Sequence, residues 1–394
     1  MRYTMTHYLF GALPARLGDE MSGQAILLMG IAAGSATLGS TLLAGLTFSA
    51  AVGGPLLGAV LDRSRHPGRV LALSLGLYAV GVSLIAWSLG HVPVWLSVVL
   101  ALTAGFLMPS ISGGWSSRLK SFIADEQITR ASAIDATTFN IAGLAGPALA
   151  GLIAGWLGAH WAVAVLVGLL VAALPMAWAL PKHEQQVKKH DTSFLHDVSV
   201  GLKIIVTNKS LFRITLLSVV SYMGIGMLWV IYPLIGQNLL GNPGFGGVLA
   251  SVVSVGALVA TAAYAKWPTK HTPDTIAFVT TLILAVAMIV LAFAGNFAVA
   301  LIAMLIVGLA DGPQLAAVFA VRHREAPERS RSQVFTTGAS MKITAAAVGA
   351  ALAGHLSSVS LWATLLVACL VQIVAAVAFL LVRKEQTQDL AASV

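Results

Sequence analysis

The sequence predicts an all-α membrane protein of twelve transmembrane helices arranged as two pseudo-symmetric six-helix bundles, and three observations carry that reading. Charge is too scarce for a water-facing globule, apolar runs of membrane-crossing length recur along the chain, and the two halves echo each other. The 394 residues are 58% hydrophobic and only 10% charged, with a mean hydropathy of +0.88, whereas soluble proteins carry about 25% charged residues. The solvent that suits such a surface is lipid. A bilayer core of about 30 Å takes roughly 20 apolar residues per helix, and a membrane β-barrel would instead show short alternating segments. The long runs of Ala, Leu, Val and Gly therefore read as helices.

In chain order the spans fall at roughly 9–33, 36–61, 68–90, 93–118, 130–155, 160–180, 210–236, 244–266, 273–295, 297–321, 332–356 and 359–382. The first is apolar apart from Arg16, Asp19 and Glu20, and the second ends at Asp62-Arg63. The fourth carries Pro109 and closes on Arg118, where snorkelling to the interface would account for the base and a contact to Asp62 or Asp135 is the alternative. The fifth begins after Arg130 and places Asp135 about a turn in, which reads as a solvated residue near the helix start. The tenth holds Asp311 and Pro313, the eleventh Lys342, and the last Cys369, the sole cysteine, which leaves no intramolecular disulfide. Met1–Phe10 lacks an apolar core followed by a small-residue cleavage site, so the first span is expected to serve as the targeting signal.

The loops alternate in charge. Connections near 34–36, 91–92, 156–160, 237–243, 296 and 357–359 hold no Lys or Arg, while the others hold Arg63, Arg65, Arg69, Lys120, Arg130, Lys182, Lys188, Lys189, Lys266, Lys270, Arg324 and Arg329. Basic loops stay in the cytoplasm, which places both termini there, with Arg383 and Lys384 following the last span, in a multi-pass plasma (inner) membrane protein. The net charge of +8 is thus a topology signal and does not point to nucleic acid. The polar segment Pro181–Lys209 divides the chain into bundles at 1–181 and 210–394, and within the linker, 182–209, Phe194, Leu195, Val198, Leu202, Ile205 and Val206 recur at helical spacing. An amphipathic helix on the inner membrane surface fits that pattern.

The halves repeat. Arg130-Ala131-Ser132 followed by Gly146-Pro147-Ala148-Leu149-Ala150-Gly151 returns as Arg331-Ser332-Gln333 followed by Gly349-Ala350-Ala351-Leu352-Ala353-Gly354, and Pro109 has Pro313 as its counterpart. Parallel repeats of this kind occur in two-fold transporters. With its span count, central linker and the Gly58-x-x-x-Asp62-Arg63 run leading to Gly68-Arg69, the chain resembles the major facilitator superfamily, with Arg65-His66-Pro67 inserted relative to the family pattern. The resemblance implies a conformational latch at Gly58, Asp62, Arg63, Gly68 and Arg69, with Asp62 meeting the start of span eleven near Ser332. It also implies an exporter motif in span five at Gly143, Gly146, Pro147 and Gly151, where small residues let helices approach closely and proline frees a carbonyl.

Charges at mid-depth cost roughly 2.5–3.5 kcal/mol each on insertion scales, so they are functional candidates. At about 1.5 Å per residue, Asp19 and Glu20 lie near the midplane, and Asp311 and Lys342 reach a similar depth. About 100° separates Asp19 from Glu20, so one is expected to face a central cavity and the other a neighbour, with Arg16 able to pair locally at i+3 or i+4. Asp311 and Lys342 are a candidate ion pair. A carboxyl group where water is scarce can take up and release protons; Asp19, Glu20 and Asp311 are the proton-coupling candidates, and an acid in span one is also a resemblance to drug:proton antiporters. Trp115, Tyr222, Trp229, Gln314 and Lys342 are the candidate cavity lining, a mixture suited to an amphipathic ligand. Tyr232 and Trp267 read as interface aromatics.

No P-loop, zinc-site spacing or nucleophile elbow occurs in the sequence. The expectation is therefore no enzyme, no metal and no cofactor. The chain is expected to be a monomeric secondary transporter working by alternating access on a small-molecule substrate and protons, most simply an exporter of an amphipathic or lipophilic compound. A facilitator or symporter for a sugar-like solute and a non-transporting membrane receptor or scaffold are the alternatives.

Overall fold

The computed structural model describes residues 3–33, 36–182, 194–241, 245–267 and 269–382. Lys188, Lys189, Arg383 and Lys384, counted above among the bases of one membrane side, lie outside them. The first half holds α1 (Met5–Ala32), α2 (Ala36–Arg63), α3 (Pro67–Ser88), α4 (Val94–Gly105), α5 (Ile128–Leu157) and α6 (Ala159–Trp178). The linker contributes α7 (Phe194–Thr207). The second half holds α8 (Lys209–Leu240), α9 (Phe245–Lys266), α10 (Pro273–Ala292), α11 (Phe297–Glu325), α12 (Arg331–Ser357) and α13 (Leu361–Leu381).

Local signals set several boundaries. Asn208, Thr272, Asn296 and Ser360 accept hydrogen bonds from Leu211, Thr275, Val299 and Ala363 backbone N–H groups, capping α8, α10, α11 and α13. The one-residue corner between α5 and α6 is Gly158 at φ +100°, a conformation that favours glycine. Among the described residues ten helices are long and apolar enough to cross a membrane. The long helices outside that set are α1 and α12, which carry Arg16, Asp19 and Glu20, and Arg331 and Lys342 respectively. The helices least suited to lipid by composition line the middle of the molecule.

Span four differs from the single helix expected over 93–118. α4 stops at Gly105, and a wide turn over Ser110–Gly114 carries the chain on to a short 3-10 turn at Leu119–Ser121. Pro109 supplies no N–H there, and such wide turns recur at functional sites. Gly113 packs so closely on Phe335 and Thr336 of α12 that an added Cβ would lie 2.8 Å from the Phe335 carbonyl oxygen.

Within the first half α1 packs on α5 and α6, α3 on α6 and α2 on α4; within the second, α8 packs on α12 and α13, and α10 on α11 and α13. The halves meet along α2 with α12 and along α5 with α9 and α11. The repeat seen in sequence is a packing repeat. Gly146 lets α5 close on α1, where an added Cβ would stand 2.7 Å from Glu20 Cβ, and Gly349 lets α12 close on α8, where it would stand 2.8 Å from the Met223 carbonyl carbon. Gly151 and Gly143, also in the span-five motif, have nothing within 4 Å of an added Cβ, so close approach there is the work of Gly146.

A buried ionic network pins α1 to α5, and it corrects two expectations. Arg16, 1% exposed, does not turn to Asp19 or Glu20; its Nη1 lies 2.6 Å from Asp135 Oδ1. The same guanidinium donates to the Thr138 hydroxyl and, at 3.0 Å, to Ser116 Oγ. Tyr8 and Ser116 hydroxyls each donate to Asp135 at 2.6 Å. Asp135 is therefore fully buried and paired, not solvated, because α1 and the stretch after α4 that carries Ser116 cover the turn of α5 that holds it. Removing one member of a buried pair typically costs about 3–5 kcal/mol because the other charge stays behind. Asp135→Ala is accordingly expected to lower the melting temperature of the purified protein sharply, with Asp135→Ala/Arg16→Met recovering a large part of the loss; a single variant as stable as the parent would contradict the network's structural weight.

Candidate functional site

Between the two halves lies a cavity of about 640 Å³. Its lining comes from α1, α2, α5, α8, α9, α11, α12 and the broken stretch after α4, and its polar members include Asp19, Glu20, Asn140, Asp311, Arg322 and Lys342. α1 stands between α2 and α5, so the cavity reaches around it and both Asp19 and Glu20 line the space, where one alone was expected. Glu20 is exposed into the cavity and Asp19 half-buried, with Asp19 Oδ1 buried and without a hydrogen-bond partner. Since Arg16 is committed to Asp135, neither acid has a cation within ion-pairing distance among the described residues. Asp311 and Lys342 also both line the cavity, and no ion pair joins them; the Lys342 ammonium lies 4.0 Å from the centre of the Tyr222 ring, a cation–π contact.

The aromatic wall is supplied by α8. Tyr222 and Trp229 meet edge to face at 6.2 Å, and Trp229 is exposed into the space. Tyr232 lines it too, in place of the interface position expected for it. Two other expected lining residues lie elsewhere. Trp115 is fully buried in the first half, edge-on to Tyr8 at 5.6 Å, because the wide turn rotates it inward. Gln314 is turned into the second half, donating to Thr281 Oγ1 at 2.7 Å, one turn beyond the Asp311 that faces the cavity.

The end of the molecule bearing the basic loops is sealed by two seams. At the first, Asp62 receives the Ser332 and Gln333 backbone N–H groups, each at 2.9 Å, at the N-terminus of α12, where the helix dipole also favours a carboxylate. Arg118 is buried 3.5 Å from Asp62 and donates to Ser332 Oγ, so this base closes the seam and does not snorkel. About two and three turns back along α2, the Gly54 carbonyl receives Thr336 Oγ1 and the Ala50 carbonyl receives Ser340 Oγ, both at 2.6 Å. Gly58 makes this approach possible, since its added Cβ would stand 2.5 Å from Gln333 Cα. At the second seam Asn140 of α5 donates to Thr261 Oγ1 at 2.9 Å and to the Ala257 carbonyl at 3.2 Å on α9. The linker helix α7 joins the first seam where the Gly201 N–H donates to Gln333 Oε1 at 2.8 Å.

Of the remaining signature residues, Gly68 and Arg69 serve the first half internally. Gly68 lies against the Ala177 carbonyl and Leu180 at the end of α6, Arg69 reaches 5.3 Å from the Trp178 ring, and Arg63 is half-buried at the end of α2. Asn140 and Arg322 are the functional candidates that the sequence reading missed. A signal for Arg322 existed, since the interval that carries Pro109 onto Pro313 carries Arg118 onto Arg322.

Comparison with known proteins agrees with this architecture. A family model described as transmembrane secretion effector matches residues 46–394. An uncharacterized MFS-type transporter, y4rN, of Sinorhizobium fredii is 26% identical over 96% of both chains. Macrolide efflux protein A of Enterococcus faecalis is 24% identical over 48% of this chain and 59% of its own, and that of Streptococcus pyogenes 25% identical over 48% and 47%. Among solved structures, a bacterial homologue of the iron transporter ferroportin in its outward-facing state superposes with a TM-score of 0.76 at 17% identity, covering 96% of this chain and 98% of that one. The fucose:proton symporter FucP of E. coli superposes at 0.77 with 12% identity, covering 97% and 98%. At those identities the likeness is one of fold.

The seal can be probed from the side it closes. In a Cys369→Ser background, a cysteine placed at the cavity-lining Ala339 is expected to react slowly with a membrane-impermeant maleimide supplied at the basic-loop side. Asp62→Asn weakens bonds of the kind worth about 1.5–3 kcal/mol when one partner is charged, and labelling should rise about tenfold or more. Gly58→Val should do the same by steric exclusion. Equal labelling rates in parent and both variants would show that these contacts do not hold the end shut.

Proposed function

The chain belongs to the transmembrane secretion effector family of the major facilitator superfamily, and on that footing we propose that it is a proton-coupled exporter of a small amphipathic compound. The observation that carries the reading is the pair of carboxyls, Asp19 and Glu20, that line the central cavity with no cation at ion-pairing distance among the described residues. A charge placed at mid-depth without a partner costs several kcal/mol, and a proton taken from the cavity removes most of that cost. Binding of substrate and of proton at the same place then become alternatives, which is the requirement for exchange.

In this reading the basic-loop end is cytoplasmic and the structure is the outward-facing state, closed by Asp62 on the α12 N-terminus and by Asn140 on α9. Protons enter from outside and neutralise the acids of α1. The two halves then rock, the seams at α2–α12 and α5–α9 part, and the acids face the cytoplasm, where proton release prepares the cavity for substrate. Macrolide efflux proteins among the relatives support export, and the aromatic wall at Tyr222, Trp229 and Tyr232 suits a ligand with a broad apolar face. The sugar symporters among the structural neighbours share the fold alone.

Everted membrane vesicles with an acidified interior test the coupling, with radiolabelled naphthylacetate and ethidium as amphipathic probes of opposite charge. Accumulation that collapses on dissipating the pH gradient is expected, and Asp19→Asn/Glu20→Gln should lose it while remaining folded and inserted. Gradient-driven uptake that persists undiminished in the double variant would remove the two acids from the coupling step.

A further inference from the structure

The floor of the cavity holds a cation that has no acid at ion-pairing distance among the described residues. Arg322, in the last turns of α11, is 1% exposed and lines the cavity, and its Nε and Nη2 are buried with no hydrogen-bond partner. Its guanidinium rests directly on Gly338 of α12, where an added Cβ would lie 2.7 Å from Nη1. Phe335 lies below it, with its ring centre 6.0 Å from the guanidinium carbon. One turn further along α12, on the same face of the helix, Lys342 also lines the cavity and likewise has no ion pair among the described residues. Residues four apart on a helix stand about 6 Å from each other along the axis, a span that the two oxygens of one carboxylate or phosphate group and its hydrogen-bonding reach can bridge.

The repeat shows that the gap is particular to this half. The interval that carries Gly146 onto Gly349 carries Asp135 onto Gly338. In the first half that position is the carboxylate that satisfies Arg16, Ser116 and Tyr8. In the second half it has no side chain, and a guanidinium fills the space. Likewise Arg118 has Asp62 opposite it, whereas its counterpart Arg322 faces no acid at ion-pairing distance among the described residues. A buried guanidinium without a partner is costly, and this one is placed at the edge of a space that a ligand can enter.

We propose that Arg322 and Lys342 form an anion subsite at the cavity floor, so that the exported amphipathic compound carries an anionic group, carboxylate or phosphate, that docks between them with its apolar part against Tyr222 and Trp229. The proposal rests on the cavity being the transport site. It assigns opposite tasks to the two walls: the acids of α1 handle protons, and the bases of the second half hold substrate charge. The planar fork of arginine pairs with two oxygens of such a group at once, and Lys342 adds a mobile point charge.

The test uses matched ligands of one shape, naphthylacetate, naphthylacetamide and naphthylethylammonium, titrated against the purified full-length protein in neutral detergent with thermal stability and equilibrium binding as readouts. Naphthylacetate is expected to bind about tenfold or more tightly than the amide, the scale of a charge-assisted hydrogen bond, with the ammonium weakest. Lys342→Gln and Arg322→Gln should each reduce that preference, and Arg322→Lys should restore part of it. Gly338→Asp, which keeps both bases and supplies the missing carboxylate, should abolish the preference as well, so the outcome does not depend on Arg322→Gln folding. Failure of naphthylacetate to bind more tightly than the amide, or a preference unchanged in Lys342→Gln and Gly338→Asp, overturns the proposal. Asp19→Asn/Glu20→Gln should keep the anion preference, and its loss of gradient-driven flux is read separately. Failure of proton coupling and failure of the anion subsite are thereby distinguishable.

Discussion

Everything at the centre of this molecule follows from where one guanidinium points. Arg16 stands one turn before Glu20 on α1, close enough to neutralise it, yet it is drawn across to α5 by Asp135 and held there by Tyr8, Ser116 and Thr138. The attraction of a fully paired, fully bonded site outweighs a local helix pair, which is worth only about 0.2–0.5 kcal/mol. As a result α1 is fixed to α5 through a dry network while the acids one turn later are left facing the cavity. Had Arg16 turned the other way, Asp135 would be an orphan charge and the cavity would hold a neutral pair.

The two seams use the same device on the two sides of the pseudo-dyad: small residues bring backbones together, and hydroxyl or amide side chains then bond to the exposed carbonyls. Ser340 and Thr336 bond to α2 at Ala50 and Gly54, and Asn140 bonds to α9 at Ala257. These are neutral bonds, each contributing about 1 kcal/mol net, so their sum can hold a closed state without making it permanent. The charge at Asp62 adds the stronger contact at the rim, where α7 also meets Gln333. A transporter that must open and close needs a seal of this intermediate kind.

Composition and loop charge made the span count and the two-half plan legible, because apolar length and basic loops are properties that sequence displays directly. The meeting of Asp62 with Ser332 was also legible, through the Gly58-x-x-x-Asp62-Arg63 run. What stayed hidden was rotational. Trp115 and Gln314 were read as lining because their spans line the cavity, yet the wide turn at Ser110–Gly114 and the hydrogen bonds to Ser221 and Thr281 turn them inward. A period of 3.6 residues cannot place a side chain on a helix that changes its winding or whose neighbours outbid the cavity. Asp135 was misread for a related reason: distance from the helix start does not say whether α1 and the stretch after α4 cover that turn.

α12 connects the seal to the site. Ser332, Gln333, Thr336 and Ser340 lie along the stripe that faces α2, and Phe335, Ala339, Lys342 and Ile343 lie along an adjacent stripe that faces the cavity. One rigid helix therefore reports on both. Gly349 and Gly226 clamp its far half to α8, so a displacement begun at Lys342 cannot be absorbed by sliding along α8 and is passed to the seam. The first half has the complementary link, since Gly146 of α5 rests on Glu20 while Asn140, further back on the same helix, bonds to α9. A change of charge at either wall of the cavity thus acts on the helix that carries one of the two seams, so the path from site to seal is no longer than these two helices.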